Sequence, residues 1–140
     1  VKTIGKVLFI DDQDLDSFLH TELLKKLGFA HEVVVKKNGK EAIEYLELDC
    51  SLDKTYPSLI FVDLYMPGGN GFDFLQDFEM LDIPEKYKIA IIILSYSEDA
   101  DDIIKLTKMG KFHFEHKPLD ITTMENIFHR YFRHFGYLEI

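Results

Sequence analysis

Short, almost unbroken apolar runs alternate along this chain with stretches in which apolar residues recur every three or four positions. KVLFI (6–10), EVVV (32–35), SLIFV (58–62) and KIAIIIL (88–94) are short and rich in branched residues, which predicts strands buried on both faces. KFHFEH (111–116) is a fifth, less apolar run and reads as an edge strand. Between the runs lie helical patterns: 15–28, with Leu15, Phe18, Leu19, Leu23 and Leu27 along one side and Gly28 as its stop; 40–48; 72–81; 98–109, stopped by Gly110; and 121–135. Strict alternation of five strands with five helices predicts an α/β fold, an open, doubly wound parallel sheet covered on both faces.

Parallel strands all point one way, so the residues at their C-terminal ends share one edge of the sheet. Those positions hold Asp11 and Asp12 after the first strand, Asp63 after the third, Ser95 after the fourth and Lys117 after the fifth. With strand order 2-1-3-4-5 the first and third strands are neighbours, about 4.8 Å apart, and ligands in such sheets bind where the order reverses. Three carboxylates meeting there would repel, and at least one pKa would rise unless a cation sat among them. A hard divalent ion such as Mg²⁺ suits that set, because it takes oxygen ligands and keeps several waters. Lys117 and the Ser95 hydroxyl add a positive charge and a hydrogen-bond donor for the oxygens of an anionic group. The arrangement is that of a phosphoryl site with an Asp as acceptor.

Composition narrows the setting. A chain of 140 residues, 46% hydrophobic and 29% charged, is expected to form one domain over 1–140. A formal net charge of -9 without a Lys/Arg block argues against direct nucleic-acid binding. The lone Cys50 offers no disulfide framework, and no apolar run approaches a membrane span, so a cytoplasmic setting is expected.

The stretches FIDDQD, VDLYMPGGNG, ILSYS and FEHKPL together resemble the receiver domain of two-component response regulators, over essentially the whole chain. The opening FIDDQDLDSFLHTELLKKLGF, the lengthened connection LDCSLDKTYP and FDFLQDF are similar to a stand-alone receiver group. The resemblance implies a flavodoxin-like three-layer sandwich. By motif position it implies Asp11 and Asp12 as the acidic metal pair, Asp63 as phosphoacceptor, Ser95 as switch hydroxyl and Lys117 as the phosphate-contacting lysine. It further implies a Mg²⁺ ligand in the Tyr65 backbone carbonyl, a switch aromatic in Phe114, a cis-proline in Pro118 and structural glycines in Gly71 and Gly110. The implied partners are a histidine kinase or phosphotransfer protein and a downstream target, with a possible homodimer through the fourth helix, fifth strand and fifth helix. The implied activity is a phosphorylation-dependent switch rather than an enzyme.

Singly, these residues have plainer readings: Asp12 or Asp14 as a helix cap, Asp63 as the start of a turn, Ser95 as a cap, Lys117 as a solvated lysine. Their joint placement at strand ends outweighs that. An aspartyl-nucleophile phosphatase is the alternative, but its nucleophile and acid/base aspartates stand two apart after the first strand, where this chain has adjacent Asp11 and Asp12. A flavin module would need a Ser/Thr/Gly-rich phosphate loop in place of DDQD. His113 and His116 lie on opposite faces of a strand and do not suggest zinc, and His20 reads as a helix-surface residue. The apolar stripe of the last helix, Ile121, Met124, Ile127, Phe128, Tyr131, Phe132 and Phe135, is wider than one core-facing side needs. Tyr65, Tyr96 and Glu115 depart from the commoner receiver pattern; the two tyrosines bear on access to the site, and Glu115 on packing of the last strand.

Overall fold

The computed structural model describes residues 4–66, 71–96, 101, 104, 105, 108 and 112–132, with Tyr131 and Phe132 by backbone alone. The apolar runs form β1 (Lys6–Ile10), β2 (Glu32–Lys36), β3 (Leu59–Asp63), β4 (Ala90–Ser95) and β5 (His113–His116). They pair in parallel in the order β2-β1-β3-β4-β5. The order reverses between β1 and β3, where Ile10 stands in register with Val62. β1 and β3 are buried at every position, whereas edge strands β2 and β5 are only partly covered. β5 begins at His113, so Phe112, inside the expected run, lies outside the observed strand.

Side chains of successive strand residues face opposite ways and build two cores. On one face, Leu8, Ile10, Ile60, Val62, Ile91 and Ile93 pack with Ala42, Leu46, Phe74 and Phe78 of the second and third helical segments. On the other, Val7, Phe9, Leu59, Phe61, Ile92 and Leu94 pack with Leu24 of the first helix and with Met124, Ile127 and Phe128 of the last. The Phe9 and Phe61 rings stack across β1 and β3 at 4.6 Å, and Phe29 meets Phe128 at 4.5 Å.

The first helix, α1 (Asp14–Leu27), ends as expected: Gly28 takes the left-handed conformation at φ 71°, and its N–H donates to Leu24 and Lys25 carbonyls. Its orientation differs from the expectation. Ser17, His20 and Leu24 face the sheet, while Leu15, Phe18 and Leu19 point to solvent, Phe18 with 60% of its surface exposed. The apolar stripe exists, but its N-terminal half faces outward, because that end of the helix lies over the polar edge of the sheet. The second helix also runs further than 48. Gly39–Glu44 leads into a π-helical stretch, Tyr45–Asp49, and a final α turn, Cys50–Asp53, so half of the supposed connection is helical. The wider π turn breaks the 3.6-residue repeat while still burying Leu46 and Cys50.

The helix Gly71–Met80 lies within a residue of the expected span. Asp101, Ile104, Lys105 and Lys108 are helical, and the rest of 98–109, with Gly110, lies outside the described residues. The last helix, Ile121–Phe132, buries Met124, Ile127 and Phe128 and leaves Ile121 exposed; the side chains of Tyr131, Phe132 and Phe135 are outside the described set. Among the described residues no helix is long and apolar enough to cross a membrane.

Candidate phosphoryl site

The strand ends bring their polar residues together as the topology requires. Asp63 is the last residue of β3, Ser95 the last of β4, and Lys117 follows β5, its N–H donating to the Ser95 carbonyl at 2.9 Å. Asp11 follows β1, whose ladder continues one step through the Asp11 N–H to the Lys36 carbonyl at 3.0 Å. One carboxylate oxygen from each of Asp11, Asp12 and Asp63 lies within 4.8 Å of the others. Asp11 Oδ1 accepts the Gln13 N–H at 2.9 Å, which fixes the turn into α1.

Lys117 closes the cluster from the opposite side. Its buried Nζ lies 2.6 Å from Asp11 Oδ2, 3.1 Å from Asp16 Oδ2 and 3.3 Å from Asp63 Oδ2. Burial alone would lower the lysine pKa, but these carboxylates outweigh it and hold the ammonium more firmly protonated than usual. Asp63 shows the opposite balance. Burial raises its carboxyl, Lys117 pulls it down, and Asp11 and Asp12 push it up again, leaving it at about 7. One carboxyl of the cluster is thus raised, by burial first and by the neighbouring carboxylates second.

A cleft of about 380 Å³ opens over this cluster, with Asp63, Ser95 and Lys117 in its floor and Leu15, Tyr65 and Tyr96 on its walls. Tyr65 is 49% exposed, and its N–H donates to Asp63 Oδ1 at 3.4 Å. Gly71 sits against the floor from below: a Cβ there would come 3.0 Å from the Asp63 carbonyl and 3.1 Å from Leu64 Cα. The Lys117–Pro118 peptide bond is cis. Phe114 is half-buried against the first core and meets the His116 ring edge-on at 5.2 Å. Pro67, Gly68, Gly69, Asn70 and Ser97 lie outside the described residues.

Two residues differ from the reading of the sequence. His20 is buried, not on the helix surface: it stacks on Phe9 at 5.6 Å, and its Nε2 accepts the Leu119 N–H at 3.4 Å. Burial, then Lys117, lowers its pKa. Asp16, which no motif singled out, reaches Lys117 and also accepts the Tyr96 hydroxyl. Its signal was present in helical spacing, since position 16 shares the inward side of α1 with His20.

The donor set fits a hard divalent cation. It consists of oxygens, is anionic, and includes the buried Asp12 Oδ1, which has no hydrogen-bond partner among the described residues.

Residues 7–129 match the family model of the response regulator receiver domain, and the chain belongs to that family. It is 29% identical to response regulator Rcp1 of Synechocystis sp. over 99 residues, 70% of this chain and 66% of Rcp1. It is also 29% identical to the two-component response regulator EHD1 of Oryza sativa subsp. indica over 128 residues, 91% of this chain but 34% of that protein. The chain thus spans just under two thirds of the first relative and about a third of the second. A crystal structure of a two-component response regulator from Cytophaga hutchinsonii superposes with a TM-score of 0.84 at 28% identity, over 94% of this chain and 99% of that one. Receiver domains are typically phosphoacceptor switches of two-component signalling, and they bind Mg²⁺ at an acidic pocket.

Proposed function

We propose that 1–140 acts in the cytoplasm as a single receiver domain in which Asp63 accepts a phosphoryl group from the phosphohistidine of a histidine kinase or phosphotransfer protein. The observation that carries this is the position of Asp63 at the end of β3, grouped with Asp11 and Asp12 on one side and 3.3 Å from Lys117 on the other. In the transfer an Asp63 carboxylate oxygen forms a bond to phosphorus as the phosphorus–nitrogen bond of the donor breaks. The imidazole leaves with the electron pair and takes up a proton, and Asp63 becomes an acyl phosphate. Asp11, Asp12, Asp63 and the Tyr65 carbonyl would hold Mg²⁺, which when bound neutralises charge on the phosphoryl oxygens. Lys117 holds the remaining oxygens from the far side. Catalysis rests on positioning and charge, with no further covalent chemistry asked of the protein.

The donor approaches through the open cleft. Leu15, Phe18 and Leu19, exposed on α1 beside it, offer an apolar surface for the protein that presents the phosphohistidine. On the output side, Ser95 moves toward the new oxygens and Phe114 turns into the space it leaves. That change alters the face made by the helix over 98–109, β5 and the last helix. A downstream protein or a second copy of the chain reads that face.

Intact-mass spectrometry after incubation with Mg²⁺ and acetyl phosphate, or with a phosphorylated kinase, tests the assignment. One phosphoryl group should add to the parent and none to Asp63→Asn. An undiminished adduct in Asp63→Asn overturns it, and sustained turnover of phosphate esters would favour an aspartyl phosphatase instead.

A further inference from the structure

Lys117 has three N–H donors, and in this structure three carboxylates surround them: Asp11, Asp16 and Asp63. A phosphoryl group on Asp63 brings new anionic oxygens to the same ammonium, so one carboxylate must give way. Asp63 carries the phosphoryl group and cannot leave. Asp11 is buried, makes the shortest contact and is pinned through its other oxygen by the Gln13 N–H. Asp16 is the remaining candidate. It stands outside the carboxylate group that could share a cation, its side chain keeps 16% of its surface open to solvent, and it sits in the first turn of α1 at the cleft wall.

Asp16 is held over Lys117 from outside. The Tyr96 hydroxyl lies 3.0 Å from Asp16 Oδ1 and 3.2 Å from Oδ2, and the Tyr96 ring stands 5.4 Å from Lys117 Nζ. Tyr96 directly follows Ser95, so this bond joins α1 to the chain leaving β4 across the mouth of the cleft. Asp16 also sets the charge of the site. With all four carboxyls ionised, Asp11, Asp12, Asp16 and Asp63 against Lys117 amount to an excess of three negative charges, which a divalent cation reduces to one. Without Asp16 the loaded site would be neutral toward an anionic donor.

We propose that Asp16, oriented by Tyr96, is a positioning residue that holds the place of the phosphoryl group on Lys117 in the resting protein. The inference rests on the phosphoacceptor reading of Asp63. Asp16 competes for Lys117 and repels the incoming donor, so it slows phosphorylation. Opening of the Asp16–Tyr96 bond accompanies loading.

The test is the initial rate of Asp63 phosphorylation by acetyl phosphate in saturating Mg²⁺, followed by intact mass. It compares the parent, Asp16→Asn, Asp16→Glu, Tyr96→Phe and the double variant Asp16→Asn/Tyr96→Phe, each checked for folding by circular dichroism. Asp16→Asn should be phosphorylated about five- to tenfold faster and Asp16→Glu near the parental rate. Tyr96→Phe should show a smaller gain. The double variant should match Asp16→Asn alone, because both changes open one latch. A rate in Asp16→Asn at or below the parent's, or gains that multiply in the double variant, overturns the proposal. Should Asp16→Asn fail to fold, the exposed Tyr96→Phe decides alone, and no gain there overturns it. A parent that takes up no phosphoryl group on Asp63 defeats the underlying reading instead, so the two failures are distinct.

Discussion

Replacing Asp63 with asparagine should stabilise the metal-free protein at neutral pH while abolishing its phosphorylation. Burial raises the Asp63 carboxyl, Lys117 lowers it and Asp11 raises it again, with a net move from 3.8 to about 7. The native protein therefore binds this proton more tightly than the unfolded chain does. The stability contributed by the protonated carboxyl is complete below about pH 4, falls as the pH rises and is lost once it passes about 7. A carboxyl moved from 3.8 to about 7 corresponds to ~4 kcal/mol, at ~1.4 kcal/mol per tenfold change in proton affinity. The cleft admits solvent to one side of the group, and halving the figure for that screening leaves about 2 kcal/mol. Asparagine keeps the shape and removes the charge, while Lys117 retains Asp11 and Asp16. Urea unfolding followed by far-ultraviolet circular dichroism, in EDTA and between about pH 4 and pH 8, measures the effect. The difference between variant and parent should be near zero at the acid end and grow to about 2 kcal/mol above pH ~7. Excess Mg²⁺ should narrow it by binding the ionised parent. A difference that stays flat across this range, or a parent that is the more stable at neutral pH, would refute the reasoning.

Lys117→Ala should still bind Mg²⁺, since the aspartates hold the cation, yet fail to pass the signal on; calorimetry showing lost Mg²⁺ affinity in a folded variant contradicts that division of roles. Tyr65→Ala and Tyr65→Asn should lose the phosphoryl group about tenfold faster than the parent, equivalent to ~1.4 kcal/mol of barrier, because the ring on the cleft wall screens the approach of water. Equal or slower decay, timed by intact mass, removes the shielding role. Gly71→Ala should cost about 1–3 kcal/mol in urea unfolding, because its Cβ would press on the Asp63 carbonyl and Leu64 Cα; an unchanged midpoint would show that the helix shifts freely.

The sequence by itself determined the sheet and the principal site. Five short apolar runs separated by helical repeats leave few arrangements, because buried parallel strands need apolar residues on both faces and crossovers long enough to hold a helix. Once the strands run parallel, their C-terminal residues must share an edge, so Asp11, Asp63, Ser95 and Lys117 could be placed together before any coordinate was known. The tertiary structure decided what spacing alone leaves open. A helical stripe gives a periodicity but not the direction in which it faces, and α1 turned Ser17, His20 and Leu24 inward and Leu15 and Phe18 out. The π turn at Tyr45–Asp49 leaves no mark in the spacing of apolar residues, although it buries Leu46 in the core. Asp16 and Tyr96 are 80 residues apart in the chain, and only the docking of α1 beside the end of β4 brings a carboxylate, a hydroxyl and Lys117 within reach of one another.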